Sequence, residues 1–432
     1  MEQYKLNICN KKNWEQYIEG DYKTLFEKIK VCKEKIDPFF ESVDDKEDGN
    51  WEMIRRKYNK AEYIFHTNQT EKDQNISKII PASRAFFKLW EICNKFELCQ
   101  ELNTISCLSL CEAPGSFLEN FIYFRQQMLD EYYGISLLNS NSSIPNWNKL
   151  LEKKKKNVHY STLKKLEYGD LISLESFENI SQKIKLNSFD YLTCDGGFDI
   201  NKNFNDQEII VYNLLVFEIV WSLLFLKKGG KLIIKIFDFY SKITQHLLLW
   251  VFNYFSDWYI YKPLFSRETN SEKYIILKNK IDMTQEEIDE LKEFFFKTFL
   301  NKINENSEEL YWIEKKELNQ KDQNNLEKLH TYILEYSEKQ QKSIQNYIDI
   351  LINPPDEHNF KIFMQNAIKE GIEWCNKYKL PINNQSRHLK YFFIENEFKK
   401  SCSNESSSSD EEKYKFKKYS FILKKREKLL KN

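Results

Sequence analysis

Four ionisable residues stand where strands or helices would deliver them to one place: Lys88, Asp195, Lys235 and Glu272. Lys235 is the most telling. It interrupts "LIIKIF", an otherwise apolar run that reads as a strand. A lysine is expensive to bury unless it is paired or used, although its long stem also lets the ammonium reach the surface. Asp195 follows the apolar run "DYLTC" and precedes two glycines, so it ends a strand. A carboxylate there serves as a turn residue, as a cofactor ligand, or as one member of a catalytic group assembled from distant parts of the chain. Lys88 lies on a helix ahead of the first core strand, and Glu272 opens the last strand after "SRETNS".

A second constellation has the character of a cofactor site. "LCEAPGSFLE" combines a strand end, a Pro-Gly turn and a helix start, and holds Glu112, Pro114, Gly115, Ser116 and Phe117. In a parallel sheet, ligands sit outside the carboxyl ends of the strands, and a glycine such as Gly115 permits close backbone approach. The same pattern is also an ordinary strand–turn–helix corner. Asp170 in "YGDL" can accept a hydrogen bond from an exocyclic amine, or can cap the helix "LISLESF". Neither GxGxxG nor a phosphate-loop lysine is present, which disfavours a nicotinamide dinucleotide and a nucleotide triphosphatase.

The elements that must position these residues alternate. "TISCLSL", "EYYGISLL", "SFDYLTC" and "GKLIIKIF" read as strands, with helices such as "SFLENFIYFRQQML" and "DQEIIVYNLLVFEIVWSLLFL" between them. "DWYIYKP" and "EKYIILKNK" read as a closing antiparallel pair. The fold class is therefore α/β: a mostly parallel sheet flanked by helices, with an antiparallel last strand and a C-terminal helical region. The boundaries expected are an N-terminal helical extension over 1–76, a catalytic domain over 77–280, a helical region over 281–400, and a polar linker with a basic tail over 401–432. "IIVYNLLVFEIVWSLLFL" approaches the length of a membrane span but carries Asn213 and Glu218 and runs straight into a turn and a strand. A buried helix is expected there, and no membrane partner.

Composition narrows the rest. The 432 residues carry 65 Lys+Arg and 65 Asp+Glu, so no global charge argues for nucleic acid and any basic surface must be local. Nine scattered cysteines without a CxxC pair suggest reduced thiols in an intracellular protein. The six histidines lack metal-ligand spacing, so no zinc site is expected. The Lys-, Asn- and Ile-rich composition suggests an AT-rich genome, such as that of a large DNA virus or a protist.

The segments "ASRAFFKLWEI", "LCEAPGSF", "YGDL", "CDGGFD", "GGKLIIKIFD" and "KPLFSRETNSEKYIIL", in that order over about residues 80–280, closely resemble the FtsJ-like ribose 2′-O-methyltransferases, especially their mRNA-cap branch. The resemblance implies a Rossmann-like methyltransferase sheet and S-adenosyl-L-methionine as methyl donor. It also implies a ribose 2′-hydroxyl as acceptor and a catalytic tetrad of Lys88, Asp195, Lys235 and Glu272. On this reading Lys235 serves the hydroxyl and Lys88 positions. Asp195 holds Lys235 and borders the sulfonium. Burial and the Lys88 ammonium would lower the pKa of Lys235, with Asp195 and Glu272 limiting the shift. The family often has an Asp where this chain has Ser109, and a second glycine where it has Ser116; Glu112 either supplies the missing acidic character or caps the next helix.

The acceptor implied is capped mRNA, with the same chemistry on ribosomal or transfer RNA as one alternative and a catalytically idle RNA-binding or scaffold subunit as another. An RNA track would use Arg84, Lys262 and Arg267, whose basic side chains suit phosphates. The helical region after 281 is a place for a protein partner from the capping or transcription machinery, by analogy alone. The compartment expected is cytoplasmic or nuclear.

Overall fold

The computed structural model describes residues 3–39, 50–66, 75–137, 145–198, 205–305 and 308–389. The polar linker and basic tail expected over 401–432 lie outside the described residues. Among the described residues nine strands form in chain order: β1 (Tyr4–Asn10), β2 (Ser106–Leu110), β3 (Glu131–Ser136), β4 (Leu163–Tyr168), β5 (Phe189–Cys194), β6 (Leu226–Ile236), β7 (Phe255–Tyr261), β8 (Lys273–Lys280) and β9 (Glu309–Lys315).

Seven of them build one sheet in the order β4-β3-β2-β5-β6-β8-β7. β2 to β6 pair in parallel, whereas β8 runs antiparallel to both of its neighbours. The reversed strand is thus inserted inside the sheet, between β6 and the edge strand β7. This has a direct consequence for the site. The start of β8 lies at the carboxyl ends of the parallel strands, with Tyr274 opposite Lys235 and Lys273 opposite Ile236.

The membrane-length apolar run forms the helix Tyr212–Phe225, followed directly by β6. Twelve of its fourteen residues are buried, which explains why it is apolar on every side. Among the described residues no helix is long and apolar enough to cross a membrane.

Two corrections concern the flanks. The N-terminal extension, expected to be short helices, opens with β1; the region after 281, expected to be nearly all helical, contains β9. The two strands pair antiparallel, Tyr4 opposite Lys315 through Asn10 opposite Glu309. Each is seven residues long; β1 alternates Tyr4, Leu6 and Ile8 with Lys5 and Asn7, whereas β9, with the apolar run 310–313, does not alternate cleanly.

The chain divides into two compact units that cut across the expected boundaries: Met1–Ile54 with Pro81–Asn353, and Arg55–Ile80 with the chain from Pro354 onward. In the first, the 33-residue helix Gln320–Ile352 lies along the edge strand β7. Lys328 donates to the Trp258 carbonyl and Tyr336 to that of Ile260, which covers an edge otherwise open to pairing. In the second, Glu357–Lys377 packs on Ala61–Ile64, and Gly371 leaves room for Ile76 and Ile64. The backbones of Ile76 and Lys78 bond those of Asn383 and Pro381 at 2.7 and 2.8 Å.

Candidate active site

Four elements converge on the carboxyl edge of the sheet. Asp195 leaves β5 and its amide donates to the Leu110 carbonyl of β2 at 3.3 Å. Lys235 is the penultimate residue of β6, Glu272 immediately precedes β8, and Lys88 projects from the helix Ala85–Lys95. Lys235 Nζ donates to the Asp195 carbonyl at 2.7 Å and lies 3.3 Å from Asp195 Oδ1. Lys88 Nζ lies 2.7 Å from Glu272 Oε1. The group is thus two ion pairs, one Lys–Asp and one Lys–Glu. The four side chains keep between 11 and 15 % of their surface exposed, enough to meet a substrate from one side while the rest is desolvated.

Their surroundings fix them. Tyr274, fully buried, donates to Asp195 Oδ1 at 2.8 Å, and Ser266 donates to Glu272 Oε1. Glu218, from the helix Tyr212–Phe225, accepts from the Gly196 amide at 3.0 Å. The two glycines after Asp195 make space for these groups: a Cβ at Gly196 would overlap Glu218 Oε1, and one at Gly197 would lie 3.3 Å from Lys235 Nζ. Glu218 and Tyr274 were not singled out as site residues from sequence. A lone carboxylate in an otherwise largely apolar helix was the signal for Glu218.

The electrostatics differ from the expectation for Lys235. Burial does work against its charge, but the carboxylates of Asp195, Glu272 and Glu218 outweigh it and hold its pKa above the ordinary lysine value. Lys88 is spent on Glu272 instead of acting on Lys235. Burial likewise opposes the Glu272 charge, yet the Lys88 and Lys235 ammonium groups bring its pKa down to about 2. Burial raises Glu218 to about 8, against the pull of Lys235 and the Gly196 amide.

The sequence pattern described as FtsJ-like methyltransferase matches residues 81–280. The chain is 31% identical to the cap-specific mRNA (nucleoside-2′-O-)-methyltransferase of Autographa californica nuclear polyhedrosis virus, over 55% of this chain and 83% of that enzyme. The chain belongs to the FtsJ-like methyltransferase family. It is 26% identical to a probable methyltransferase of African swine fever virus (isolate Pig/Kenya/KEN-50/1950), over 54% of each chain. It is 27% identical to cap-specific mRNA (nucleoside-2′-O-)-methyltransferase 1 of Dictyostelium discoideum, over 53% of this chain and 31% of that one. It therefore spans most of the first relative and about half or less of the other two.

In this FtsJ-like chain the turn after β2 is more inward-facing than expected. Glu112 is buried and accepts from the amides of Phe117 and Leu118 at 2.6 and 3.5 Å, so it caps the helix Ser116–Arg125. Burial raises its pKa well above the carboxylate range, with those two bonds opposing. Ser116 and Phe117 are fully buried. A Cβ at Gly115 (φ +105°) would meet Leu150 Cδ2 at 2.5 Å, so this glycine serves packing and a left-handed turn. Glu112, Ser116 and Phe117 thus turn their side chains into the packing, while Pro114 stays partly exposed. Ser109, where the family often has an acid, is buried and hydrogen-bonds Thr193 across β2 and β5 at 2.7 Å. Asp170 is exposed at the end of β4; one oxygen accepts from the Ile172 amide at 2.9 Å, leaving the other toward solvent.

The three basic residues expected on the RNA side separate. Lys262 points inward: its ammonium donates to the Asn270 carbonyl at 2.7 Å, Asn270 Oδ1 at 2.9 Å and the Glu272 carbonyl at 2.9 Å. Those bonds use all three of its donors, so it has none left for a phosphate. Burial and the neighbouring Lys273 ammonium pull its pKa down to about 7, opposed by Glu272 and Asp238. Arg267 pairs with Glu52 at 3.6 Å and stays partly exposed. The Arg84 guanidinium lies 5.7 Å from the centre of the Phe265 ring.

Proposed function

We propose that this protein is an S-adenosyl-L-methionine-dependent RNA ribose 2′-O-methyltransferase acting on the cap-proximal nucleotide of mRNA, inside the cell. The observation that carries the reading is the pair of ion pairs at one sheet edge: Lys235 with Asp195, and Lys88 with Glu272. Two of the relatives above are named for this activity, and one of them is spanned over 83% of its length.

The methyl donor supplies an electrophilic methyl group on a cationic sulfur. The residues fit such a group: the open Asp170 carboxylate at β4 and the Asp195 carboxylate at β5 are acceptors for its amine and hydroxyl donors and suit its positive charge. The turn over Pro114 and Gly115 adds its backbone.

Lys235 is the base. Its nitrogen takes the 2′-hydroxyl proton as the ribose oxygen becomes methylated, and Asp195 and Glu272 stabilise the ammonium that results. A lysine held above its ordinary pKa is a strong base but is scarce in the neutral form at pH 7, so turnover is expected to rise with pH. Lys88 keeps the Glu272 carboxylate charged and fixed, and Asp195 fixes Lys235 through two contacts, so the reacting atoms are aligned before the reaction. Arg84, shortly before Lys88 in the chain, and Arg267, shortly before Glu272, are the candidates for RNA phosphates; Lys262 is not. The reading is tested by incubating the protein with radiolabelled donor and matched capped and uncapped transcripts. Label in the capped RNA is expected; label only in uncapped ribosomal or transfer RNA would move the acceptor, and no label in any RNA would overturn the activity.

A further inference from the structure

Residues 262–272 form the loop between β7 and β8, and Glu272 is its last residue. Lys262 is its first. The three bonds from the Lys262 ammonium all end on Asn270 and Glu272, so the side chain joins the start of the loop to its end. Ser266, midway along, donates to Glu272 Oε1, the same oxygen that meets Lys88. From outside the loop, Gln340 donates to the Thr269 carbonyl at 3.1 Å. A loop whose ends are tied leaves the carboxylate at its exit few alternative directions.

We propose that Lys262 is a positioning residue of the methyl-transfer site: it staples the loop 262–272 closed and so aims the Glu272 carboxylate at Lys88. The proposal rests on the functional reading above. It assigns Lys262 no contact with RNA, cofactor or reacting atoms.

The test uses the full chain with Lys262→Met and Lys262→Arg. Methyl transfer to capped RNA gives kcat and KM, calorimetry gives donor affinity, and thermal melting checks folding. The expected result is a folded Lys262→Met protein with unchanged donor affinity and a kcat lower by about 10- to 100-fold, the scale of a small misplacement of an aligned site. RNA KM is expected to move by less than about threefold, and Lys262→Arg to restore part of kcat. An unchanged kcat in folded Lys262→Met would overturn the proposal. So would a raised RNA KM at unchanged kcat, which marks a phosphate contact. If Lys262→Met does not fold, Asn270→Ala removes one of the three acceptors and is read the same way.

A readout independent of activity separates this proposal from the functional one. Glu272 makes stability fall as pH drops from about 4.5 toward about 2, and Glu272→Gln removes that dependence. In the Lys262→Met background the difference made by Glu272→Gln should shrink, because the carboxylate is no longer aimed at Lys88. An undiminished difference refutes the staple. A wild-type protein without methyl transfer refutes the proposed function and leaves this second readout to decide the staple.

Discussion

Lys235 bonds Asp195 twice, through the backbone oxygen at 2.7 Å and the carboxylate at 3.3 Å. β5 and β6 pair in parallel with Cys194 opposite Ile234, so Asp195, just past the end of β5, comes beside Lys235, still within β6. The lysine is gripped by the strand end next to it, and Tyr274 holds the gripping carboxylate from the strand on the other side of β6.

Removing the base is expected to separate binding from chemistry. Lys235→Ala should bind S-adenosyl-L-methionine with little change in calorimetry while methyl transfer falls by about 10²- to 10⁴-fold, the range for a general base. Full activity with radiolabelled donor would sink the assignment of Lys235.

Tyr274→Phe tests the support under Asp195. It deletes one hydrogen bond to a partly buried carboxylate and leaves the ring in place. A stability loss of about 1–3 kcal/mol is expected in denaturant unfolding, together with a lower kcat and an unaltered RNA KM. A variant as stable and as fast as wild type would show that Asp195 needs no such support.

The acid response has a definite sign. The folded pKa of Glu272, about 2, lies below its ordinary value of 4.5. Its stabilising contribution is therefore complete above about pH 4.5 and is lost as pH falls toward about 2. It is worth about 3 kcal/mol. Unfolding titrations of wild type and Glu272→Gln should converge at low pH and diverge above it; parallel curves would contradict the Lys88–Glu272 pairing. The kcat/KM profile has the opposite origin. Lys235 is held protonated in the free protein, so kcat/KM should rise with pH through neutrality.

Gly196→Ala places a methyl group onto Glu218 Oε1 in a closely packed region. A stability loss of about 1–3 kcal/mol is expected from overpacking. Gly196→Ala combined with Glu218→Ala should recover part of it in thermal melting, because the closest overlap is then removed and only the contact with Leu214 remains; no recovery would place the cost elsewhere.

Much of the site was legible because its residues sit at the ends of plain apolar runs. "DYLTC" and "LIIKIF" announce strands, and with them the exits that carry Asp195 and Lys235. The partnerships were less visible. Lys88 was expected to act on Lys235, yet it pairs with Glu272, because β8 is inserted between β6 and β7 and brings Glu272 to the same edge. Strand order is a tertiary property that an antiparallel hairpin signal does not specify. Around Glu112, Gly115 and Ser116 the sequence does not separate a turn that packs inward from one that faces a ligand, since both use glycine and small residues. Lys262 shows the same limit: a lysine in a polar loop reads as a phosphate contact until its three acceptors are seen. The alternation of β1 marks a strand but not its partner, because β9 lies at the far side of the sheet-forming segment.

The most direct test of the account is where the methyl group goes. A 2′-O-methyl blocks alkaline cleavage of the adjoining phosphodiester, so a capped transcript treated with the protein and then with alkali should release a cap structure one nucleotide longer than untreated RNA, carrying one added methyl by mass spectrometry. Wild type is expected to give that product and Lys235→Ala to give none. A methyl group found on a base, with the alkali-sensitive cap unchanged, would contradict the account.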